Sequence, residues 1–252
     1  MNIILLTPED LREDGTYGVA GKRAEHIRHV LRSKKGDTLE VGLLRETLGV
    51  ARIELLGADE IVLRCTFNDE PLRALHVTDI ICALPRPQTL KKVLVTAASM
   101  GVRHLHLVRA NRVEKSFFHS SLLHPANMNK FIYEGLSQGK LVNPPEVIVH
   151  KYFKVFFEDT LSELEAKEGS PVTKILPHPE ARLHIRGMDL PQQAKVAIAI
   201  GPEGGWVPFE VDLMRSLGFS DVRLGPWVLR VETALTAALA QVELVRGRQG
   251  DG

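Results

Sequence analysis

Two cysteines in 252 residues are too few for a disulfide framework. Cys65 and Cys82 each sit in an apolar, strand-like run, which predicts buried free thiols in a reducing compartment and no metal site. An excess of either charge is also missing. The chain has 32 basic and 31 acidic side chains and a net charge of +1, so a nucleic-acid partner must be argued from local clusters. No long apolar run occurs. Residues 1–6 lack a basic leader and are too short for a signal core or a membrane span; they read as a first strand of a cytoplasmic protein. Neither G-x-G-x-x-G nor G-x-x-x-x-G-K-[ST] is present, which removes two familiar glycine signatures of nucleotide sites. Repeats and low-complexity segments are absent, and only 247–252 reads as a frayed tail.

What is present divides near residue 70. Residues 1–70 read as a small β-rich domain, with strand-like runs at 38–44, 48–56 and 61–67 and a turn at 57–60. A helix at 22–33 carries the apolar stripe Ala24, Ile27, Val30 and Leu31. The polar, proline-ended 68–71 predicts the junction. Residues 72–247 then alternate strands and helices, the pattern of an α/β domain with a parallel sheet. Its strands are expected at 76–84, 102–108, 146–149, 172–176, 196–200 and 222–224. Helices are expected at 88–100, 125–139, 152–167, 208–217 and 230–246. In the first of these, Leu90, Val93, Leu94 and Ala97 face the core, and Gly101 caps the end.

Two cationic clusters stand out. Six Lys or Arg fall within 22–35 against one acid, Glu25. Arg23, Arg28, Arg32 and Lys35 are the phosphate-binding candidates, with Arg28 and Arg32 on one helix face; the alternative is a solvated helix surface. His26 and His29 lie three apart without further ligands nearby, so zinc is not implied. In the second cluster, Arg109, Arg112 and Lys115 precede Phe117 and Phe118, cations beside aromatics as RNA loops require. The competing reading puts at least one phenylalanine in the core.

Residues 195–244 organise the rest. The run 196–200 is uninterrupted and apolar, ends at Gly201-Pro-Glu-Gly-Gly205, and reads as a buried parallel strand whose carboxyl end faces a ligand. Gly201, Gly204 and Gly205 allow positive φ and close approach of a ligand; Pro208 and Glu210 suit a helix start. A second strand at 221–224 feeds Leu224-Gly-Pro-Trp-Val-Leu-Arg-Val-Glu-Thr-Ala234. I-G-P-E-G-G followed about twenty residues later by L-G-P-x-x-L-R-x-E-T-A resembles the SPOUT-superfamily methyltransferases that methylate N3 of a uridine in 16S ribosomal RNA. The resemblance implies a C-terminal trefoil knot, an S-adenosylmethionine (SAM) pocket in these loops and a homodimer. It also implies a PUA-like RNA-binding domain at 1–70, where A-x-H-I-x-H-V-L-R-x-x-x-G-D matches. It covers nearly the whole chain, with departures at Gly135, Leu141, Trp227 and Val231. The expected cofactor residues are Leu84, Ile200, Gly201, Pro202, Glu203, Gly204, Gly205, Leu224, Gly225, Val228, Leu229, Thr233 and Ala234. The expected partner is 16S rRNA or the small ribosomal subunit, and no metal is expected.

Uridine N3 becomes nucleophilic when it loses its proton, and the charge spreads onto O2 and O4. Arg230 can stabilise that anion or grip a phosphate, and Glu232 can accept the proton. Alternatively, Glu232 complements the helix dipole and pairs with Arg230. Two other readings stand beside methyl transfer. One is an RNA-binding or ribosome-assembly factor that keeps the fold without turnover. The other is an NAD(P)-type enzyme using Asp221, whose glycine spacing and strand position are wrong for it.

Overall fold

The computed structural model describes residues 2–69 and 77–247. The expected junction at 70–72 and the tail from 248 lie outside the described residues. The first sheet comprises β1 (Ile4–Leu6), β2 (Tyr17–Ala20), β3 (Thr38–Leu43), β4 (Thr47–Leu56) and β5 (Glu60–Phe67), in the order β1-β3-β4-β5-β2. All its ladders are antiparallel except β1 with β3, and it curls into a nearly closed barrel. Strand alternation sends Ile4 and Leu6 into the barrel core and Leu5 into the core of the second sheet. β1 is therefore shared between the two cores. The amides of Asn2 and Ile3 donate to the Ser137 carbonyl, at 2.9 and 3.1 Å, and fix that contact.

The basic helix differs from expectation. α1 (Gly21–Glu25) passes into a π-helical turn, His26–Val30, closed by Leu31 N donating to His26 O at 2.9 Å. A wider turn rotates later residues off the 3.6-residue stripe. Ala24 and Ile27 are buried, whereas Val30 and Leu31 are exposed. Arg32 takes a left-handed φ of 53° beyond the turn and so shares no helix face with Arg28.

The second sheet is fully parallel. It contains β6 (Thr78–Ala83), β7 (His104–Val108), β8 (Glu146–His150), β9 (Val172–Pro177), β10 (Lys195–Ile200) and β11 (Ser220–Val222), in the order β11-β9-β10-β6-β7-β8. Its helices are α2 (Pro87–Ser99), α3 (Pro125–Gly139), α4 (Phe153–Val155), α5 (Leu161–Lys167), α6 (Pro208–Ser216) and α7 (Val231–Gly247). A π-turn at Phe156–Thr160 joins α4 to α5. The expected strand at 222–224 is shifted to Ser220–Val222, which leaves Leu224 in the following loop. Leu90, Val93, Leu94 and Ala97 are all buried on α2, and Gly101 caps it at a φ of 70°.

Gly135 has a packing reason. A Cβ there would lie 2.3 Å from the Val95 carbonyl oxygen and 2.8 Å from Ala98 Cβ, and one on Gly139 would lie 2.4 Å from Ser99 O. Two glycines four apart on α3 thus let α2 approach at backbone distance. Gly135→Ala overpacks this crossing and is expected to cost about 1–3 kcal/mol. Circular dichroism should show the melting temperature falling by several degrees; an unchanged one would contradict this packing.

A polar cluster lies across β6–β8. Burial opposes ionisation of Asp79, but hydrogen bonds from His104 and Arg103 outweigh it and bring its pKa down to about 2. Burial, reinforced by the neighbouring His150 ring, lowers the His106 pKa to about 4. His106 Nδ1 and His150 Nε2 are 3.1 Å apart. A histidine with a depressed folded pKa contributes stability that is full above its unfolded value near 6.5 and is lost as pH falls toward 4. The loss for His106 should reach about 3 kcal/mol. Melting curves from pH 7 to 4 should show this slope in the wild type and a flatter one in His106→Phe; equal slopes would refute it.

Arg246 closes the molecule. Its side chain is fully buried at the end of α7 and donates to Thr78 Oγ1 (3.0 Å), Val77 O (3.0 Å) and Ala194 O (2.8 Å). It also pairs with Glu243.

Candidate active site

The carboxyl ends of β9 and β10, the start of α2 and the loop from β11 into α7 surround one cavity of about 720 Å³. That size suits a cofactor-scale ligand, and the carboxyl edge of a parallel sheet is where such ligands bind. β10 is buried on both faces and delivers Ile200 to the floor. Gly201, Pro202, Glu203 and Gly205 form one wall; Leu224, Gly225, Val228, Leu229 and Ala234 form the opposite one. The first loop is held from below by Glu210. Its carboxylate accepts from Val207 N at 2.9 Å, within its own helix start, and from Asn111 N at 2.6 Å.

Three expected cofactor residues do not line the cavity. Leu84 is buried within the core, and Arg86 and Thr89 line the cavity in its place. Gly204 faces outward beneath Arg112, whose Nη1 donates to its carbonyl. Thr233 lies two residues past the buried Val231, about 200° round the helix, and is exposed. Positive φ occurs only at Gly205, at 74°, among the three loop glycines. Gly201 serves close packing, because a Cβ there would sit 3.1 Å from Trp206 Nε1.

Arg230 and Glu232 both line the cavity. Glu232 pairs with Lys92, not with Arg230: Lys92 Nζ lies 3.0 Å from its Oε1. That bond leads in lowering the Glu232 pKa, with the charge of Arg230 a lesser influence. Glu232 is therefore an ionised, engaged carboxylate. Arg230 is exposed, and among the described residues no side-chain hydrogen bond occupies it. Sequence reasoning missed the third wall, formed by Pro177 at the end of β9 and by His178, Pro179 and Glu180 after it. The proline-flanked HP pair directly after an apolar run was the available signal.

The cationic clusters separate into engaged and open groups. Arg23 is tied to Asp10 by bonds of 2.6 and 2.7 Å and to Leu5 O by one of 2.9 Å, so it braces the barrel. Arg28 donates to the Gly57 carbonyl. Arg32, Lys35 and Lys115 are exposed, and Arg109 is half-buried. Phe117 and Phe118 both pack partly against the core.

The cavity fits an adenosyl and amino-acid ligand on its own features. Trp206 lines the cavity, and its buried Nε1 is a donor without a partner among the described residues. Leaving such a group unpaired is costly, and an acceptor on a ligand would satisfy it. Apolar Ile200, Leu224, Leu229 and Ala234 supply a surface for a flat ring.

A family model described as RNA methyltransferase domain matches residues 72–243. The chain belongs to this family. The methyltransferase is also 29% identical over 246 residues to the Treponema pallidum protein named ribosomal RNA small subunit methyltransferase E, covering 96% of this chain and 90% of that one. Two solved structures share the fold. One is a ribosomal RNA small subunit methyltransferase E from Neisseria gonorrhoeae bound to SAM, with a TM-score of 0.74 and 19% identity over 96% and 98% of the two chains. The other is a Legionella pneumophila putative methyltransferase with SAM, with a TM-score of 0.73 and 20% identity over 97% and 98%. Among the described residues of the methyltransferase, no helix is long and apolar enough to cross a membrane.

Proposed function

We propose that this protein transfers the methyl group of SAM to N3 of a uridine in small-subunit ribosomal RNA. The observation that carries the reading is the cavity between the two glycine-proline loops, lined also by Trp206, whose buried indole N–H has no partner among the described residues. SAM supplies an electrophilic methyl group. The indole N–H and the loop backbones bind it, and the apolar wall excludes water beside it. Arg230, exposed at the same cavity, stabilises the charge on the uridine oxygens as the N3 proton leaves. Glu232 holds Lys92 at the cavity rim, which adds a second cation; its lowered pKa makes it a weak base. The exposed Arg32, Lys35 and Lys115 meet phosphates.

The same reading takes residues 1–70 as the RNA-binding domain and 72–247 as the catalytic domain of a cytoplasmic homodimer whose knot region abuts its partner. Titration calorimetry should detect SAM binding, and Gly201→Leu, which would push the Trp206 ring aside, should abolish it. NAD should release no heat. Tight NAD binding without SAM binding would overturn the assignment. The ion-paired state of Glu232 favours one second reading, an RNA-binding factor without turnover.

A further inference from the structure

Trp227 stands in the wall of the cavity and yet is 68% exposed, and Val228 beside it is 85% exposed. Its six-membered ring leans on Gly225, where a Cβ would come within 2.9 Å of the ring carbons Cε3 and Cζ3. One side of the ring is thus seated against main chain, while most of its surface is open. The other tryptophan is built differently. Trp206 is only 9% exposed and packs beside the Phe153 ring, whereas no aromatic neighbour of Trp227 occurs among the described residues. A large flat apolar side chain left in water at the rim of a concave site is a surface that gains from being covered.

The neighbouring charges say what covers it. Arg86 and Arg230 line the same cavity with Glu180, Glu203 and Glu232. Arg86 lies 3.9 Å from Glu203 and Glu232 pairs with Lys92, whereas Arg230 is exposed with no side-chain partner among the described residues. A flat ring on the rim of a cavity that also holds a free guanidinium suits a planar base on a phosphate chain, since stacking on the ring adds to phosphate attraction. The ring's exposure also places it on the rim, outside the floor formed by Ile200. We propose that Trp227 is a positioning residue for the RNA, a platform on which a base of the substrate strand stacks as the target uridine enters the cavity. The proposal rests on the RNA-methylating reading above, and its test can fail independently of that reading.

The test uses the full-length protein and its Trp227→Phe and Trp227→Ala variants. Tryptophan emission is followed during titration with a uridine octanucleotide, with an abasic octamer of the same backbone, and with SAM. The base-bearing oligomer should quench a component of the wild-type emission that is missing in both variants, and the abasic oligomer should not. In methyl transfer to small-subunit RNA, Trp227→Ala should raise the KM for RNA about 5- to 150-fold. Trp227→Phe should recover most of that loss, and the Kd for SAM should stay unchanged. Equal quenching by the abasic oligomer, or no quenching with an unchanged KM, would overturn the proposal. Quenching of the Trp227 component by SAM alone would assign the ring to the cofactor. A change in that component on dilution without RNA would assign it to a second copy. If the wild type transfers no methyl group, the methylation reading fails, while the emission arm still decides whether a base stacks on Trp227.

Discussion

Arg230→Ala is expected to lower the rate of methyl transfer about 100- to 1,000-fold, the effect of removing one preorganised donor to a developing oxyanion. The guanidinium lies at the cavity with no side-chain bond among the described residues, so its loss should leave folding and SAM affinity intact. Arg230→Lys keeps the charge but not the planar fork, and should recover only part of the rate. Glu232→Gln separates the two possible roles of its neighbour. With Glu232 already bonded to Lys92 and its pKa lowered, the amide should cost little turnover at neutral pH. A large loss that recovers as pH rises would make Glu232 the base. A near-normal rate in Arg230→Ala would remove the anion-stabilising role altogether.

Arg246→Ala is expected to be the most destabilising single change proposed for this protein, at about 3–5 kcal/mol, the combined cost of a cavity at a fully buried side chain and of buried acceptors left without their donor. It strips a donor from Thr78 Oγ1 and from the carbonyls of Val77 and Ala194. It also opens a void where a fully buried side chain stood. Those groups sit at the amino ends of β6 and β10, so the loss would loosen α7 from the sheet and, with it, the loop bearing Arg230. Arg246→Met refills the volume without restoring the bonds and should recover only part of the loss. Urea denaturation distinguishes the outcomes: a midpoint within error of the wild type would mean that α7 is held by its apolar face alone.

The elements that sequence reasoning located well are those whose period or punctuation is unambiguous. Pro125 at a first turn and Gly139 before Lys140 bracket α3, and five apolar residues ending at Gly201 mark the carboxyl end of β10. The two loops of the cavity were legible because glycine and proline fall where strands must stop. Less legible was whatever depends on partners far apart in the chain. The Lys92–Glu232 pair spans 140 residues, and no local pattern announces it. β2 was missed because Tyr17–Ala20 is short and contains a glycine; it becomes a strand by pairing with β5. Val30 and Leu31 were assigned inward on a 3.6-residue period that the π-turn breaks. Leu84 and Thr233 lie off the cavity lining for a related reason: each sits in the right segment, but Leu84 is buried in the core and Thr233 is exposed on its helix.

The central claim is that this chain carries a methyl group from SAM to small-subunit ribosomal RNA at uridine N3. Mass spectrometry of nucleosides digested from small-subunit RNA, after incubation with the purified protein and isotope-labelled SAM, tests it most directly. The account predicts labelled 3-methyluridine, absent when Arg230→Ala replaces the wild type over the same time. Labelled methyl on any other nucleoside would contradict the proposed atom. Bound SAM with no label in any nucleoside, on free RNA or assembled subunit, would contradict catalysis itself and leave an RNA-binding protein.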